Sequence, residues 1–375
     1  LLYDVIISIC LVLFTFNLIL NLRNLKVPKN IRILQPAPMV SVLVPARNEE
    51  DNIRNCLTSL QNQDYSNFEV VVLDDNSTDG TASIVREFVK NDSRFHLLTA
   101  EPLPEGWVGK SYACYRLAKN ANGTWLLFTD ADTIHSPVMI SSVLTLSLEN
   151  QPTLLSGFPQ QKAGSFIEKI TIPVFYFILM TWMPLWWMQR SKKLRPSMAN
   201  GQFLLFKRED YWKIGGHEAV KSRILEDVWL GAEVYRKGGR VLAVDLSPVV
   251  ACRMYKDFGS MWQGFAKSIY GVTRSALILL ILEIFGYMLF LGPIYALCDK
   301  FINQAYLEPC FVLIATQVLI IIFMRLLMRY RFKESIYATI LHPLGLLFFM
   351  GNGIYVIYRR VFGKGIEWKE RHYNI

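Results

Sequence analysis

An α/β domain with a mixed, mostly parallel sheet, joined to interfacial and transmembrane helices, is the architecture this sequence predicts. Three observations predict it. Short apolar runs alternate with helical apolar stripes from residue 39 to about residue 130. Polar, acid-rich clusters stand at the carboxyl ends of those runs. Long apolar stretches bracket the region, so that a chain of 375 residues is 52% hydrophobic. Its mean hydropathy of +0.25 is high for a soluble enzyme.

The elements follow in order. Up to residue 20, in LLYDVIISICLVLFTFNLIL, Asp4 carries the only formal charge. About 20 apolar residues suffice to cross a hydrocarbon core of ~30 Å. A basic leading region and a small-residue cleavage site are both missing, which argues against a removed signal peptide. Residues 1–22 are therefore expected to be an N-terminal transmembrane anchor. MVSVLV (39–44) reads as a strand that Pro45 ends. In NEEDNIRNCLTSLQNQ, Asn48 is the expected helix cap and Glu49, Glu50 and Asp51 its acidic first turn. Ile53, Cys56, Leu57 and Leu60 recur at helical spacing.

FEVVVLDDNSTDG (68–80) repeats the pattern. A buried strand over 68–73 turns through Asp74 to Gly80, and Ala82, Ile84, Val85, Phe88 and Val89 form the next helical stripe. Residues 95–99 read as a third strand, 110–120 as a helix and 124–129 as a fourth strand. Such alternation gives a parallel sheet whose ligands bind beyond the carboxyl strand ends. PARNEE, DDNST and DADT all stand there. Neither GxGxxG nor GxxxxGK[ST] occurs, which excludes a dinucleotide fingerprint and a phosphate-binding P-loop.

Residues 166–188, FIEKITIPVFYFILMTWMPLWWM, are aromatic-rich and interrupted by Pro173 and Pro184. They read as an interfacial helix pair beside the site, with a buried core helix or a true span as alternatives. Residues 201–206 return the chain to the core as a strand. Gly215 and Gly216 predict a tight loop that carries His217, either toward donor or acceptor or as an ordinary loop histidine. Three apolar segments follow at about 274–297, 309–328 and 335–358. RLLMRYRFKE (325–334) is expected to face the cytosol. HPLG and GNG in the last segment leave it either spanning or re-entrant.

The implied domains are the anchor 1–22, a cytosolic catalytic domain 36–272 with membrane-interface helices at 166–189, a transmembrane region 274–358 and a basic tail 359–375. The expected location is the cell membrane, multi-pass, with the catalytic domain facing the cytoplasm. The net charge of +9 is concentrated beside apolar segments, as in Arg23, Lys26, Lys29 and Arg32 and in the tail's Arg359, Arg360, Lys364, Lys369 and Arg371. Anionic headgroups and the positive-inside rule account for it, so nucleic acid is not an expected partner. Six scattered cysteines without CxxC indicate neither a disulfide framework nor a zinc site.

In LLFTDADTIHS (126–136), Asp130 and Asp132 are separated by the small Ala131. At a strand end, residues i and i+2 point to one side. Two carboxylates held close repel, and a divalent cation, Mg2+ or Mn2+, resolves the conflict while bridging a ligand's diphosphate. Asp75 is placed to accept from a ribose or a base N–H, and Asp74 to organise the turn. Glu49 either caps its helix or approaches the nucleotide. In ILEDVW (224–229), Glu226 and Asp227 offer a general base, with Asp227 the choice; a salt-bridged surface helix is the alternative. Lys110 in GWVGKSYA is placed to approach phosphates. Arg253 and Lys267 either neutralise a leaving diphosphate or lie near headgroups.

The stretches VPARNEE (44–50), VVLDDNSTDGTA (71–82), GWVGKSYA (106–113), LLFTDAD (126–132), GQFLLFKREDYWKIGGHE (201–218) and ILEDVWL (224–230) together resemble the membrane-associated family 2 glycosyltransferases. The resemblance covers residues 40 to about 270. It implies a GT-A domain, a nucleotide-sugar donor, typically a UDP-hexose, and inversion by direct displacement. It further implies a donor site of Pro45, Ala46, Glu49, Asp75, Lys110, Asp130, Ala131 and Asp132. Asp132, with Asp130, is implied as metal ligand, and Asp227, with Glu226, as the catalytic pair. Where processive relatives carry QxxRW, MWQGFAKSIYG (261–271) has Gln263 followed by Ala266 and Lys267. That departure, RMY (253–255) and GKGIEWKERHY (363–373) resemble the carotenoid-acid and hopanoid-associated branches. They imply a single transfer to a lipid or other apolar acceptor, with Gln263, Lys267, Arg253 and His217 on the diphosphate or acceptor side. Extension of a polysaccharide and a non-catalytic membrane scaffold are the competing readings.

Overall fold

The computed structural model describes residues 2–29, 36–190, 199–273, 275–304, 310–368 and 371–373. Arg32, Lys369 and residues 305–309 lie outside them. The chain divides into two compact units. One comprises Leu25–Lys162 and Leu185–Met254, and the other Leu1–Asn24, Ala163–Pro184 and Tyr255–Ile375.

The first unit is built on ten strands: β1 (Val40–Ala46), β2 (Phe68–Asp74), β3 (Phe95–Thr99), β4 (Trp125–Thr129), β5 (Thr133–His135), β6 (Leu154–Phe158), β7 (Gln160–Gln161), β8 (Phe203–Lys207), β9 (Val241–Asp245) and β10 (Val250–Cys252). Seven form a sheet in the order β3-β2-β1-β4-β8-β6-β9. All neighbours run parallel except β8, which is antiparallel to both β4 and β6. The remaining strands make a small sheet, β5-β10-β7, at the end of β4.

Strand alternation decides what each face buries. Val40, Val42, Val44, Val70 and Val72 point to one face, where Ile53, Cys56, Leu57 and Leu60 of helix Ile53–Gln61 cover them. Leu43, Val71, Leu73, Leu126 and Phe128 point to the other, against Ala113, Cys114 and Leu117 of helix Gly109–Asn120. With both faces covered, the strands are continuous apolar runs and their loops emerge at a common edge.

Two local expectations are corrected. β1 runs through Pro45 to Ala46, in register with Leu73 and Asp74. Pro45 lacks an N–H, but it lies past Leu43, the last β1 residue paired with β4. The following helix starts at Ile53, not after Asn48. Asn48 instead adopts a positive φ of 53°, and its Oδ1 accepts from Thr78 N at 2.9 Å. Glu49 N donates to Thr81 Oγ1 at 2.8 Å, and Gly80 N donates to Glu50 Oε2 at 2.8 Å. The acidic run thus ties the β1 loop to the β2 loop, because partners distant in sequence outcompete a local cap.

The second unit is helical. Leu2–Asn24 and Phe311–Phe332 are long and apolar enough to cross a membrane, and a third span arises if the bent pair Phe258–Val272 and Ala276–Phe290 counts as one. The apolar segment expected at 274–297 is divided at Leu291 into Ala276–Phe290 and Gly292–Ile302. The last segment folds as Ile336–Ile340 and His342–Val361 and is not among the candidate spans.

Helix Phe166–Trp182 runs unbroken over Pro173 and stops before Pro184. A capping box opens it, with Glu168 N donating to Ser165 Oγ and Ser165 N to Glu168 Oε1. At its far end Asn21 Nδ2 donates to the carbonyls of Met180 and Met183, each at 2.7 Å. Gly345 lets helix His342–Val361 close on it; a Cβ there would lie 2.9 Å from Ile170 O, the close approach that small residues give membrane helices. Arg325 is 1% exposed and pairs with Glu334 at 2.9 Å, so the first residue of the basic stretch is buried inside the unit.

Candidate active site

β4 carries Asp130 and Asp132 to the sheet edge on a loop that is braced from below. Thr133 Oγ1 donates to Asp130 O at 2.7 Å, and Thr129 Oγ1 donates to Gln202 O at 3.0 Å. His135 sits beneath the loop, with Nε2 3.1 Å from Thr129 Oγ1 and Nδ1 3.2 Å from Ser59 Oγ. Burial pushes its pKa down to about 3, which keeps the ring neutral. Ala131, between the two aspartates in the loop, is buried.

The two aspartates have different surroundings. Asp130 Oδ1 lies 2.8 Å from Lys110 Nζ. Asp132 Oδ1 is buried with no hydrogen-bond partner among the described residues. Burial first, then the charges of Asp130 and Glu49, push its pKa up to about 7. A carboxylate crowded by like charge is relieved by a cation. No group of three or more His, Cys, Asp or Glu side chains suited to a metal occurs among the described residues. An orphaned carboxylate oxygen beside a second carboxylate would nonetheless suit a hard divalent ion, with Asp132 and Asp130 as the residues that would hold it.

Lys110, at the head of helix Gly109–Asn120, joins the two acidic motifs. Its Nζ lies 2.8 Å from Asp130 and 3.2 Å from Glu226 Oε1. Burial alone would lower its pKa, but these two carboxylates outweigh that and hold it above the ordinary lysine value. Helix Glu226–Arg236 presents Glu226 and Asp227 in its first turn. Asp227 Oδ2 accepts from Gly201 N at 2.6 Å, and Oδ1 accepts from Val228 N at 2.8 Å. Burial and Glu226 together push the Asp227 pKa up to about 6, against the opposing pull of Lys110 and the two N–H groups. Gly201 sits tightly against the site: a Cβ there would lie 3.1 Å from Asp227 Oδ2 and 3.2 Å from Lys110 Nζ, so those groups would have to give by a few tenths of an ångström.

The remaining expected residues fall into three groups. Pro45, Ala46, Glu49 and Asp75 stand at the carboxyl ends of β1 and β2, with Arg47 NH1 donating to Asp75 O at 3.3 Å. Asp74 Oδ1 accepts from Ser77 N, so Asp74 organises the turn. His217 is placed in the core, 1% exposed, with Nδ1 2.9 Å from Tyr211 OH and Phe128 packed on its ring. Burial, aided by Lys110, pushes its pKa down to about 3; its place in the core corrects both readings left open, a residue that contacts donor or acceptor and an ordinary loop histidine. Arg253 follows β10 in this unit, whereas Gln263 and Lys267 lie on helix Phe258–Val272 of the helical unit.

Three residues escaped the sequence reading: Gly201, Gln202 and Cys252. Gln202 Nε2 donates to Cys252 Sγ at 3.0 Å. Gly201 and Gln202 open GQFLLFKREDYWKIGGHE, but a backbone N–H and a buried amide leave no spacing signature.

Lys110 draws an acid at the end of β4 and an acid at the head of a distant helix into one cluster, and residues 41–215 match the family described as Glycosyl transferase family 2. This chain carries a family 2 glycosyltransferase domain. The glycosyltransferase is 27% identical over 369 residues to 4,4'-diaponeurosporenoate glycosyltransferase from Staphylococcus aureus, a match covering 96% of this chain and 94% of that one. A solved mannosyltransferase from Pyrobaculum calidifontis, in complex with GDP-Man and Mn2+, aligns with a TM-score of 0.55 at 20% identity. That alignment covers 96% of this chain and 99% of the mannosyltransferase. The fold is GT-A, and the candidate site lies at the carboxyl ends of β1, β2 and β4.

Proposed function

We propose that this glycosyltransferase moves a hexose from a UDP-sugar to a membrane lipid or carotenoid-type acceptor, with inversion and with a divalent ion, Mg2+ or Mn2+. The observation that carries this reading is the Lys110 bridge, 2.8 Å from Asp130 and 3.2 Å from Glu226, which sets a donor-side acid beside a base-side acid. Asp75 accepts from the uridine, and Pro45, Ala46, Glu49 and Ala131 line the donor's path along the strand ends. Asp132, with Asp130, would hold the cation, whose positive charge stabilises the departing diphosphate when it is bound. Lys110 and Arg253 add fixed positive charge on the same side, and Gln263 and Lys267 are assigned to the diphosphate or acceptor side.

The chemistry is a single displacement. The acceptor oxygen forms a bond to the anomeric carbon as the bond to the diphosphate oxygen breaks, and UDP leaves with the electron pair. Asp227 takes the proton from a hydroxyl acceptor, and Glu226 keeps Lys110 close to the donor. Two backbone N–H groups fix both oxygens of Asp227, which orients it without removing its basicity. The S. aureus relative is named for 4,4'-diaponeurosporenoate, a molecule that offers a carboxylate. With such an acceptor no proton needs removing, and Asp227 positions the nucleophile instead.

Two apolar helices long enough to span support a multi-pass location in the cell membrane, and the basic residues that follow the first apolar segment favour a catalytic domain on the cytoplasmic side. A bilayer concentrates an apolar acceptor, and burial of that acceptor contributes roughly 25 cal/mol per Å². Incubation with a panel of UDP-sugars and native membrane lipids, read by mass spectrometry, tests the reading. One hexose added to an apolar acceptor is the expected result. A ladder of hexoses would favour polysaccharide extension, and retained donor binding without any glycosylated product would favour a non-catalytic scaffold.

A further inference from the structure

The Gly201 N–H that holds Asp227 belongs to the backbone, so its direction is set by the turn around it. Residues 200–203 form that turn at the entrance to β8, with Phe203 N donating to Asn200 O at 3.0 Å. The Asn200 side chain closes it from inside. Gln202 N donates to Asn200 Oδ1 at 3.1 Å, and Asn200 Nδ2 donates to Gln202 Oε1 at 3.4 Å. Asn200 therefore takes two of the turn's three N–H groups. The third, on Gly201, leaves the turn and meets Asp227 Oδ2 at 2.6 Å.

The turn is anchored on two sides. The ladder between β6 and β8 ends at Ser156 opposite Leu204, and the Ser156 hydroxyl continues it. Asn200 N donates to Ser156 Oγ at 2.8 Å, and Ser156 Oγ donates to Asn200 O at 3.3 Å. These bonds give the fully buried Ser156 hydroxyl the partners that burial demands. On the other side, Thr129 Oγ1 donates to Gln202 O and Gln161 Nε2 donates to Gln202 Oε1, each at 3.0 Å. Thr129 ends β4 and directly precedes Asp130. One turn thus touches the base through Gly201 and the root of the aspartate loop through Gln202. Asparagine suits the first position because its side chain accepts from the backbone two residues on. Leucine has similar bulk and no acceptor.

We propose that Asn200 is a positioning residue that aims the Gly201 N–H at Asp227 and fixes the spacing between this carboxylate and the aspartate loop. The inference rests on the reading of Asp227 as the general base, and its test separates the two.

The full-length protein in detergent is assayed for transfer with the UDP-sugar panel and native membrane lipids, and UDP affinity and melting temperature are read alongside. Asn200→Leu is expected to lower kcat about 10-fold through misplacement of the base, with UDP affinity unchanged. Asn200→Ser keeps a weaker acceptor at the same place and should recover most of that loss. In an Asp227→Asn background, Asn200→Leu should cost less than about 2-fold more, because both changes act through one carboxylate. Ser156→Ala loosens the anchor and leaves the Asn200 side chain in place. It should lower kcat by about 3-fold, and it carries the test if Asn200→Leu does not fold. Wild-type kcat in the folded variant, or a 10-fold loss that persists in the Asp227→Asn background, would overturn the positioning role while leaving the base reading intact. An Asp227→Asn protein with wild-type turnover, or a wild-type protein that glycosylates nothing in the panel, would overturn the base reading and this inference with it.

Discussion

Asp132 and Asp227 are under the same pressure and answer it differently. Burial and a neighbouring carboxylate raise both, Asp132 to about 7 and Asp227 to about 6. Asp227 is braced at both oxygens by backbone N–H groups, which hold its geometry and leave it able to accept a proton. Asp132 has one oxygen with no partner among the described residues and two further acids nearby. The difference teaches how one acidic cluster divides its work. The carboxylate given N–H donors suits proton transfer, and the one crowded by like charge suits a cation. Lys110 stands between them and keeps the two ends compatible.

Removing the base should have the largest effect. Asp227→Asn is expected to lower transfer to a hydroxyl acceptor by ~10²–10⁴-fold, measured as initial rates at saturating donor. A carboxylate acceptor should show a much smaller loss, and equal losses with both would break the assignment. Lys110→Met is expected to reduce kcat/KM by roughly 10²-fold, since one fixed donor to developing charge is lost. Unchanged kcat/KM would mean that the bridge between the two acidic motifs is only structural.

Gly201→Ala sharpens the comparison further. The added methyl would crowd Asp227 and Lys110 but not Asp132. Turnover should fall about 10-fold through misplacement of the base, while Mn2+ binding stays at the wild-type level. The smallest effect is the pH response. A base must be unprotonated to act, and the Asp227 pKa is raised to about 6. The rate with a hydroxyl acceptor should therefore be flat above that value and fall tenfold per unit well below it, in a profile of kcat/KM against pH. A limb at the ordinary aspartate pKa would contradict the described environment.

Much of this arrangement was legible in the sequence. The runs at 39–44, 68–73, 95–99 and 124–129 match β1 to β4 closely, because buried parallel strands leave unbroken apolar segments. Asp130 and Asp132 were legible because a strand end directly precedes them. Asn48 misled because an asparagine before three acids looks like a helix cap, while its actual partner, Thr78, is far along the chain. His217 misled because a Gly-Gly pair suggests an open loop, and only the fold supplies Tyr211 and Phe128 to bury it. The bond from Gln202 to Cys252 was hidden for the same reason. The antiparallel β8, paired Thr129 to Phe203, brings Gln202 under the aspartate loop, and β10 brings Cys252 beside it.

The division of work between the two aspartates is tested most directly by one calorimetric measurement, Mn2+-dependent UDP-sugar binding in wild type, Asp132→Asn and Asp227→Asn. The account predicts that Asp132→Asn loses the metal-dependent part of binding and that Asp227→Asn binds as wild type. Metal-dependent binding that survives in Asp132→Asn, or that is lost equally in both variants, would contradict it.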